Sequence, residues 1–369
     1  MKIDVDNEKT SNSRDFNIDL IKAICICLVL TWHLEPIDIS IPTITAHSAN
    51  IIFKEAQIAL YFQLALIGVP AFLITSQYLY IQKLQERGYP YFLKRLGQLF
   101  LIAVFWIFCQ CVLYYILVAS KSPETTAGFL PSTASSWLSF FLIGGPSLPI
   151  VGGSVFYYLA ILIILTTLST LFVLGSRFKW FEISIGLIVI IGSLVYFQIR
   201  GFSGVEISSS KIDNFAVYTP IAYFLYKYGS RLKFSLLGMI WIAYIVFSCE
   251  DIILGLAGIP LNVYGRVSIV FGAVALVTSL MHQTIIRETK LASFLSIHSL
   301  GIYALHKYFQ YFIALQLTPL FTLYNIQKKI PVGEMRINFQ VLSIAIPTLL
   351  LTLASTYILG KTPLKRFVK

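Results

Sequence analysis

Charged residues are scarce in this 369-residue chain: Asp, Glu, Lys and Arg together make up 12% of it, whereas 57% is apolar. Soluble globular domains carry about 25% charged residues, so the composition excludes a water-soluble fold of this size. Apolar runs of about 20 residues, the length that crosses a bilayer as a helix, recur from end to end. The sequence therefore indicates a multi-pass membrane protein surrounded by the lipid bilayer.

Several chemical signatures are also missing. The sequence contains no Walker loop, no dinucleotide fingerprint, no HExxH motif and no zinc-ligand spacing. Four of the five cysteines form two pairs with members two residues apart, which diverge by about 200° on a helix, and we expect buried, reduced thiols. The net charge of +11 comes from Lys and Arg spread over loops, so we expect no nucleic-acid partner. Because the spacing of metal ligands is missing, we expect no bound metal.

Ten apolar stretches, separated by polar, charged or Gly/Pro-containing segments, predict ten membrane spans. They lie near residues 17–35, 57–82, 95–119, 154–175, 181–199, 214–228, 234–249, 264–285, 297–319 and 339–360. The expected fold class is therefore all-α, a polytopic transmembrane helical bundle of about ten spans. The stretch at 214–228 is the weakest because it is short and contains Pro220, and an apolar piece at 137–145 is too short to cross.

The distribution of Lys and Arg predicts the orientation of these spans. With the N-terminus inside, 18 of the 28 Lys and Arg fall on the cytoplasmic side and 7 fall outside, which is the asymmetry of the positive-inside rule. Both termini are then cytoplasmic, with a tail over 1–16, a transmembrane domain over 17–360 and a basic tail over 361–369. We expect the protein in the cell (inner or plasma) membrane.

Two ionisable residues share one face of the first predicted span. Lys22 and His33 are eleven residues apart, which is three helical turns plus about 20°, and about 16 Å along the axis. Ionisable groups at such depth usually face a cavity or a partner, because lipid does not solvate them. We expect both to line one polar cavity. The alternatives are that Lys22 extends to the cytoplasmic interface and that His33 is a hydrogen-bonded packing residue.

Three further places carry candidate functional side chains. Tyr303 and His306 are three residues apart on one face of the ninth predicted span, where the alternative is a histidine bonded between helices. Lys94 and Arg95 begin the third span and suit the phosphates of a cytosolic ligand, unless they only fix the topology. Phe156, Tyr157 and Tyr158 begin the fourth span, and they either stack on a sugar ring or belong to the interfacial aromatic belt.

Four segments of the chain resemble the integral membrane acyltransferase-3 family. They are FNIDLIKAICICLVLTWH (16–33), with a basic residue, ten residues and a histidine as in the family's opening helix; GVPAFLITSQYLY (68–80); YFLKRLGQLF (91–100); and SLGIYALHKYF (299–309). The chain departs from the family's pattern at three positions. Lys22 stands where arginine is common, and Gln77 stands where glycine is usual. Gln98 stands where the family has the second arginine of an Arg-x-x-Arg pair, of which Arg95 is the first.

The resemblance implies that the 17–360 domain transfers an acyl group from cytosolic acyl-CoA, with acetyl-CoA the expected donor, to a hydroxyl of a cell-envelope carbohydrate or lipid-linked sugar. A histidine suits the base that such a hydroxyl needs, and the candidates are His33 and then His306. Donor binding would fall to Lys22, Lys94 and Arg95, and acceptor binding to Tyr157 and Tyr303.

Two other functions stay open at this point. In a secondary transporter or polysaccharide export component, Lys22, His33 and His306 would form a proton or substrate path. Transporters of this kind often show two related halves, and the sequence shows no internal repeat. A non-catalytic partner in envelope assembly is the third possibility, and the departures at Gln77 and Gln98 favour it.

Overall fold

The computed structural model describes residues 16–34, 58–117, 130–147, 154–205, 208, 210–282, 289–323, 329–332 and 335–369. The predicted tail over 1–16 lies outside these residues except for Phe16. Within the described ranges the chain is helical apart from one short hairpin between the last two long helices. The all-α fold class is therefore confirmed.

Twelve helices lie within the described ranges. They are α1 (Phe16–Leu34), α2 (Ile58–Arg87), α3 (Tyr89–Leu117), α4 (Ala134–Ile143), α5 (Tyr157–Gly175), α6 (Lys179–Ser203), α7 (Tyr218–Tyr228), α8 (Phe234–Leu256), α9 (Val267–Met281), α10 (Lys290–Leu323), α11 (Phe339–Leu359) and α12 (Lys365–Val368). The α2 helix begins with a π-helical segment (Ile58–Leu64) and a 3₁₀ turn (Ala65–Ile67). Strands β1 (Lys329–Val332) and β2 (Met335–Asn338) pair antiparallel, with Lys329 opposite Asn338.

Each of the ten predicted apolar stretches overlaps one of these helices, several of which extend beyond it. In the described part of the chain, seven helices are long and apolar enough to cross a membrane, namely α1, α2, α3, α5, α6, α8 and α11. The α7 and α9 helices have only 11 and 15 residues, and α4 is the short piece expected not to cross. The number of spans and the cytoplasmic position of both termini stay predictions.

Helix α1 lies at the centre of the bundle, packed against α2, α9 and α10. At one end of it, the Ser296 hydroxyl of α10 donates to the Asp19 carboxylate over 2.6 Å. At the other end, the Gln310 amide of α10 donates to the carbonyl of His33 over 2.9 Å. The two helices therefore run parallel, and the two ends of the bundle are called here the Lys22 end and the His33 end.

The outer helices carry their large apolar side chains on the surface, as lipid contact requires. None of the residues of α8 is buried, and Ile242, Ile245 and Ile253 are more than half exposed. The expectation that all cysteines are buried is wrong for two of them. Cys25 is buried, but Cys27 and Cys249 are exposed, because a spacing of two residues turns Cys27 to the opposite side of α1 from Cys25.

Candidate active site

A cavity of about 590 Å³ opens at the Lys22 end of the bundle, between α1, α2, α3, α5 and α10. Its walls are apolar along most of their height, with Ile26, Val69 and Leu162 among the lining residues. A volume of this size is typical of sites for cofactors and other small molecules. The cavity reaches inward as far as Tyr158 and Tyr303.

Cations from four separate segments line this cavity. Lys22 comes from α1, Lys83 from the end of α2, Arg95 from the start of α3, and Lys369 from the segment after α12. Asp19 is the one acidic side chain in the described lining, and it accepts the hydrogen bond from Ser296. The cavity therefore carries an excess of positive charge, which attracts an anionic ligand and raises its local concentration.

The structure separates the two basic residues that begin α3. Arg95 lines the cavity, whereas Lys94 is exposed and does not belong to the described lining. Two neighbouring residues on a helix point about 100° apart, and at this position Arg95 is the one that faces the cavity. Arg95 is thus placed to contact a ligand there, and Lys94 is placed to mark the topology.

Two buried tyrosines close the inner end of the cavity. The rings of Tyr158 on α5 and Tyr303 on α10 lie 5.2 Å apart, and the Tyr303 hydroxyl donates to the carbonyl of Val155 over 2.7 Å. Tyr157, one of the aromatics proposed for sugar stacking, does not belong to the described lining. On α5 it is the neighbouring tyrosine that faces the cavity, again because adjacent residues diverge by about 100°.

Two histidines meet just beyond these tyrosines. The ring centroids of His33 and His306 are 5.0 Å apart, and the His306 ring lies 6.0 Å from that of Tyr303. Neither histidine belongs to the described lining of the cavity, so the prediction that Lys22 and His33 share one cavity wall is met only at Lys22. The tyrosine layer stands between the cavity and the histidine pair.

The ring of His306 is held in a defined way. The residue is fully buried, and its Nδ1 lies 3.2 Å from the carbonyl oxygen of Ile302. A carbonyl oxygen only accepts, so Nδ1 carries the proton and Nε2 carries the free lone pair. Among the described residues, that Nε2 has no hydrogen-bond partner. As a whole residue, His33 is only partly buried, whereas His306 is fully buried.

Comparison with known proteins gives the family to which the chain belongs. A family model described as an acyltransferase domain matches residues 15–361, nearly the whole chain. The chain belongs to the acyltransferase-3 family. No curated protein and no solved structure matches it. The family and the apolar helices together make the chain an integral membrane protein with an acyltransferase domain, and the resemblance seen in its four sequence segments is confirmed.

Two departures from the acyltransferase-3 pattern lie away from the cavity. Gln77 is completely buried and accepts a hydrogen bond from Ser169 over 2.9 Å, so it links α2 to α5. Gln98 is exposed. Neither side chain belongs to the described lining. The third departure, Lys22, does line the cavity, where it keeps the positive charge but lacks the two-pronged geometry of arginine.

Among the side chains that line the cavity, Tyr158 was considered from the sequence only as one of three stacking aromatics, and Lys83 and Lys369 were not candidates. Tyr158 is adjacent to a chosen residue, and the rotation of α5 decides between the two. Lys83 and Lys369 reach the cavity by tertiary packing alone, and their spacing from Lys22 carries no periodic signal. In the described part of the chain, no three His, Cys, Asp or Glu residues come together as metal ligands.

Proposed function

We propose that this protein is a membrane O-acyltransferase that moves an acyl group, with acetyl the expected one, from cytosolic acyl-CoA to a hydroxyl of a cell-envelope carbohydrate or lipid-linked sugar. The observation that carries the proposal is the cationic cavity whose inner end, formed by Tyr158 and Tyr303, lies next to the histidine pair. The family supplies the reaction class. The positive-inside rule assigns the Lys22 end to the cytosol, which is where acyl-CoA is available.

The donor enters from the Lys22 end in this proposal. Its phosphates contact Lys22 and Arg95, which supply charge-assisted hydrogen bonds. Its thioester arm lies along the apolar wall, and the cavity ends at Tyr158 and Tyr303. The acyl carbon is then held close to the tyrosine layer and to the histidines behind it.

The acceptor approaches from the His33 end, and the reaction takes place where the two substrates meet. The acceptor oxygen attacks the thioester carbon, its proton passes to the imidazole of His33, and a new C–O bond forms. The C–S bond then breaks, and the sulfur of CoA leaves as a thiolate that takes up a proton. His306 acts on His33, because its Nε2 lone pair can accept a hydrogen bond from the His33 ring and fix its tautomer.

Purified protein in lipid nanodiscs tests the proposal. The assay follows release of free CoA from acetyl-CoA with and without an extract of envelope carbohydrate, and it detects acyl transfer by mass spectrometry. We expect turnover that the His33→Ala variant lacks. If the purified chain carries a solute across liposomes but never consumes acetyl-CoA, the transporter hypothesis replaces this one. If it does neither, the non-catalytic partner hypothesis does.

A further inference from the structure

The chain turns back into the bundle after α11. Residues 361–369, called here the C-terminal segment, end in the short helix α12, in which Phe367 and Val368 are buried. The indole of Trp106 on α3 donates to the carbonyl of Phe367 over 3.0 Å. The Phe367 ring stacks on that of Phe105 with centroids 4.0 Å apart. The basic tail expected from the sequence is therefore docked against α3.

The other side of the C-terminal segment lies directly on the backbone of α10. A Cβ atom at Gly301 would be 2.9 Å from the Cβ of Val368 and 3.0 Å from its carbonyl oxygen. Only a residue without a side chain allows this approach. The segment is thus wedged between α3 and α10, the two helices that also carry Arg95 and Tyr303.

This docking brings the side chain of Lys369 to the mouth of the cavity. A Cβ atom at Gly360 would be 2.7 Å from the Cε atom of Lys369, so the lysine stem runs past the end of α11. Lys369 lines the cavity together with Lys22, Lys83 and Arg95. Within the described residues it forms no ion pair with a carboxylate side chain. Its charge is therefore available to a ligand.

We propose that the C-terminal segment forms one wall of the donor site and that Lys369 binds a phosphate of the nucleotide part of the donor. This inference rests on the proposed function, since it takes the ligand to be a phosphorylated nucleotide thioester. Lys22, Lys83 and Arg95 come from α1, α2 and the start of α3. Lys369 adds a cation carried by the docked segment. Lysine suits this role because its ammonium acts as a point charge toward phosphate oxygens.

The test compares Lys369→Gln with Lys365→Gln in the full-length protein. Lys365 is an exposed lysine of the same segment that does not belong to the described lining, so it is a matched control for charge. The probe is 3′,5′-ADP, which carries phosphates but no thioester, used as a competitive inhibitor of acetyl-CoA turnover. In Lys369→Gln we expect its inhibition constant and the KM for acetyl-CoA to rise about fivefold, with kcat unchanged. Lys365→Gln should match the wild type.

A second variant tests the docking itself. Phe367→Ala removes the ring that stacks on Phe105, so it should raise the same two constants, while Lys369→Arg should keep them near the wild-type values. An inhibition constant in Lys369→Gln equal to that of the wild type would overturn the inference and leave the proposed function intact. If the wild type itself neither binds 3′,5′-ADP nor consumes acetyl-CoA, the proposed donor is wrong and the inference falls with it.

Discussion

His33 and His306 differ in what their ring nitrogens can do. The Nδ1 of His306 is committed to the carbonyl of Ile302, and its Nε2 is free inside the bundle. His33 is partly exposed at the end of α1. An acceptor hydroxyl can therefore reach His33 more readily than His306. We infer that His33 takes the proton and that His306 positions it.

Substitutions at the two histidines should separate these roles. His33→Gln cannot take up a proton near neutral pH, so kcat should fall by about 10²–10⁴. His306→Gln keeps a side-chain oxygen that can accept a hydrogen bond from His33 and should retain more activity than His306→Leu, which cannot. Steady-state kinetics with acetyl-CoA measure these differences. Equal inactivity of His306→Gln and His306→Leu, with a milder loss in His33→Gln, would make His306 the base.

Arg95 and Lys94 form a matched pair for testing the donor site. Arg95 lines the cavity and Lys94 does not, although both are cations at the same end of α3. Arg95→Gln should raise the KM for acetyl-CoA about tenfold, equivalent to about 1.4 kcal/mol of lost binding, with a smaller effect on kcat. Lys94→Gln should leave KM unchanged. An equal effect of both substitutions would point to general surface charge rather than to direct contact.

At the level of helices, two ion pairs connect neighbouring elements in different environments. Arg266, just before α9, pairs with Asp251 of α8 over 2.9 Å, and both side chains are largely buried. The same carboxylate accepts hydrogen bonds from Gln63 of α2, over 3.0 Å, and from Ser268. Lys227 of α7 pairs with Glu182 of α6, but the lysine side chain is 41% exposed. Removing one member of the Arg266–Asp251 pair should therefore lower the stability of the protein far more than removing one member of the Lys227–Glu182 pair.

Removing one partner from each pair should give unequal losses of stability. Asp251→Asn leaves the buried guanidinium of Arg266 without a counter-charge, which typically costs about 3–5 kcal/mol. Glu182→Gln should cost about 1 kcal/mol or less, because water screens the exposed lysine. Thermal unfolding in detergent, followed by tryptophan fluorescence, measures both. Equal shifts in melting temperature would mean that water reaches the Arg266 site.

The helices themselves could be predicted from the sequence, because in lipid an apolar segment has few other ways to form hydrogen bonds for its backbone N–H and C=O groups. The helical period also placed Lys22 and Tyr303 correctly at a cavity. It failed to choose between Tyr157 and Tyr158, or between Lys94 and Arg95, since both members of each pair lie on a span whose rotation is set by its neighbours. Tertiary packing, which leaves no local pattern, decided those positions.

At the scale of the whole molecule, the contribution of the C-terminal segment was beyond prediction for the same reason. Lys369 and Lys22 are separated by nearly the entire sequence, yet both line one cavity. Their approach depends on Gly301, Trp106 and Phe105, residues that look like ordinary parts of apolar spans. Composition predicts a tail rich in lysine and arginine, and only the fold brings its last residue to the site.

The orientation of the whole bundle depends on the α7 segment. Helix α7 alone has 11 residues, about 16 Å, which is shorter than the hydrocarbon core of a bilayer. However, Asn214 just before α7 accepts a hydrogen bond from Arg200 near the end of α6, and Lys227 pairs with Glu182 near the start of α6. The chain from Asn214 to Lys227 thus runs alongside the part of α6 between Glu182 and Arg200, which is about 27 Å long.

This antiparallel match predicts that α7 crosses the membrane, and with the predicted spans of α9 and α10 the seven long apolar helices then make ten spans. Its irregular start is tolerated because Tyr218, Thr219 and Ala222 are buried in protein rather than exposed to lipid.

The test introduces one cysteine on either side of α7, Lys211→Cys before it and Ser230→Cys after it. Both variants are made in a protein that lacks Cys27 and Cys249, the two exposed native thiols. Intact cells are then labelled with a membrane-impermeant maleimide. Position 211 should react from outside and position 230 only after the cells are opened. Labelling of both from the same side would mean that α7 does not cross, and the Lys22 and His33 ends would then need to be reassigned from the labelling of the remaining loops.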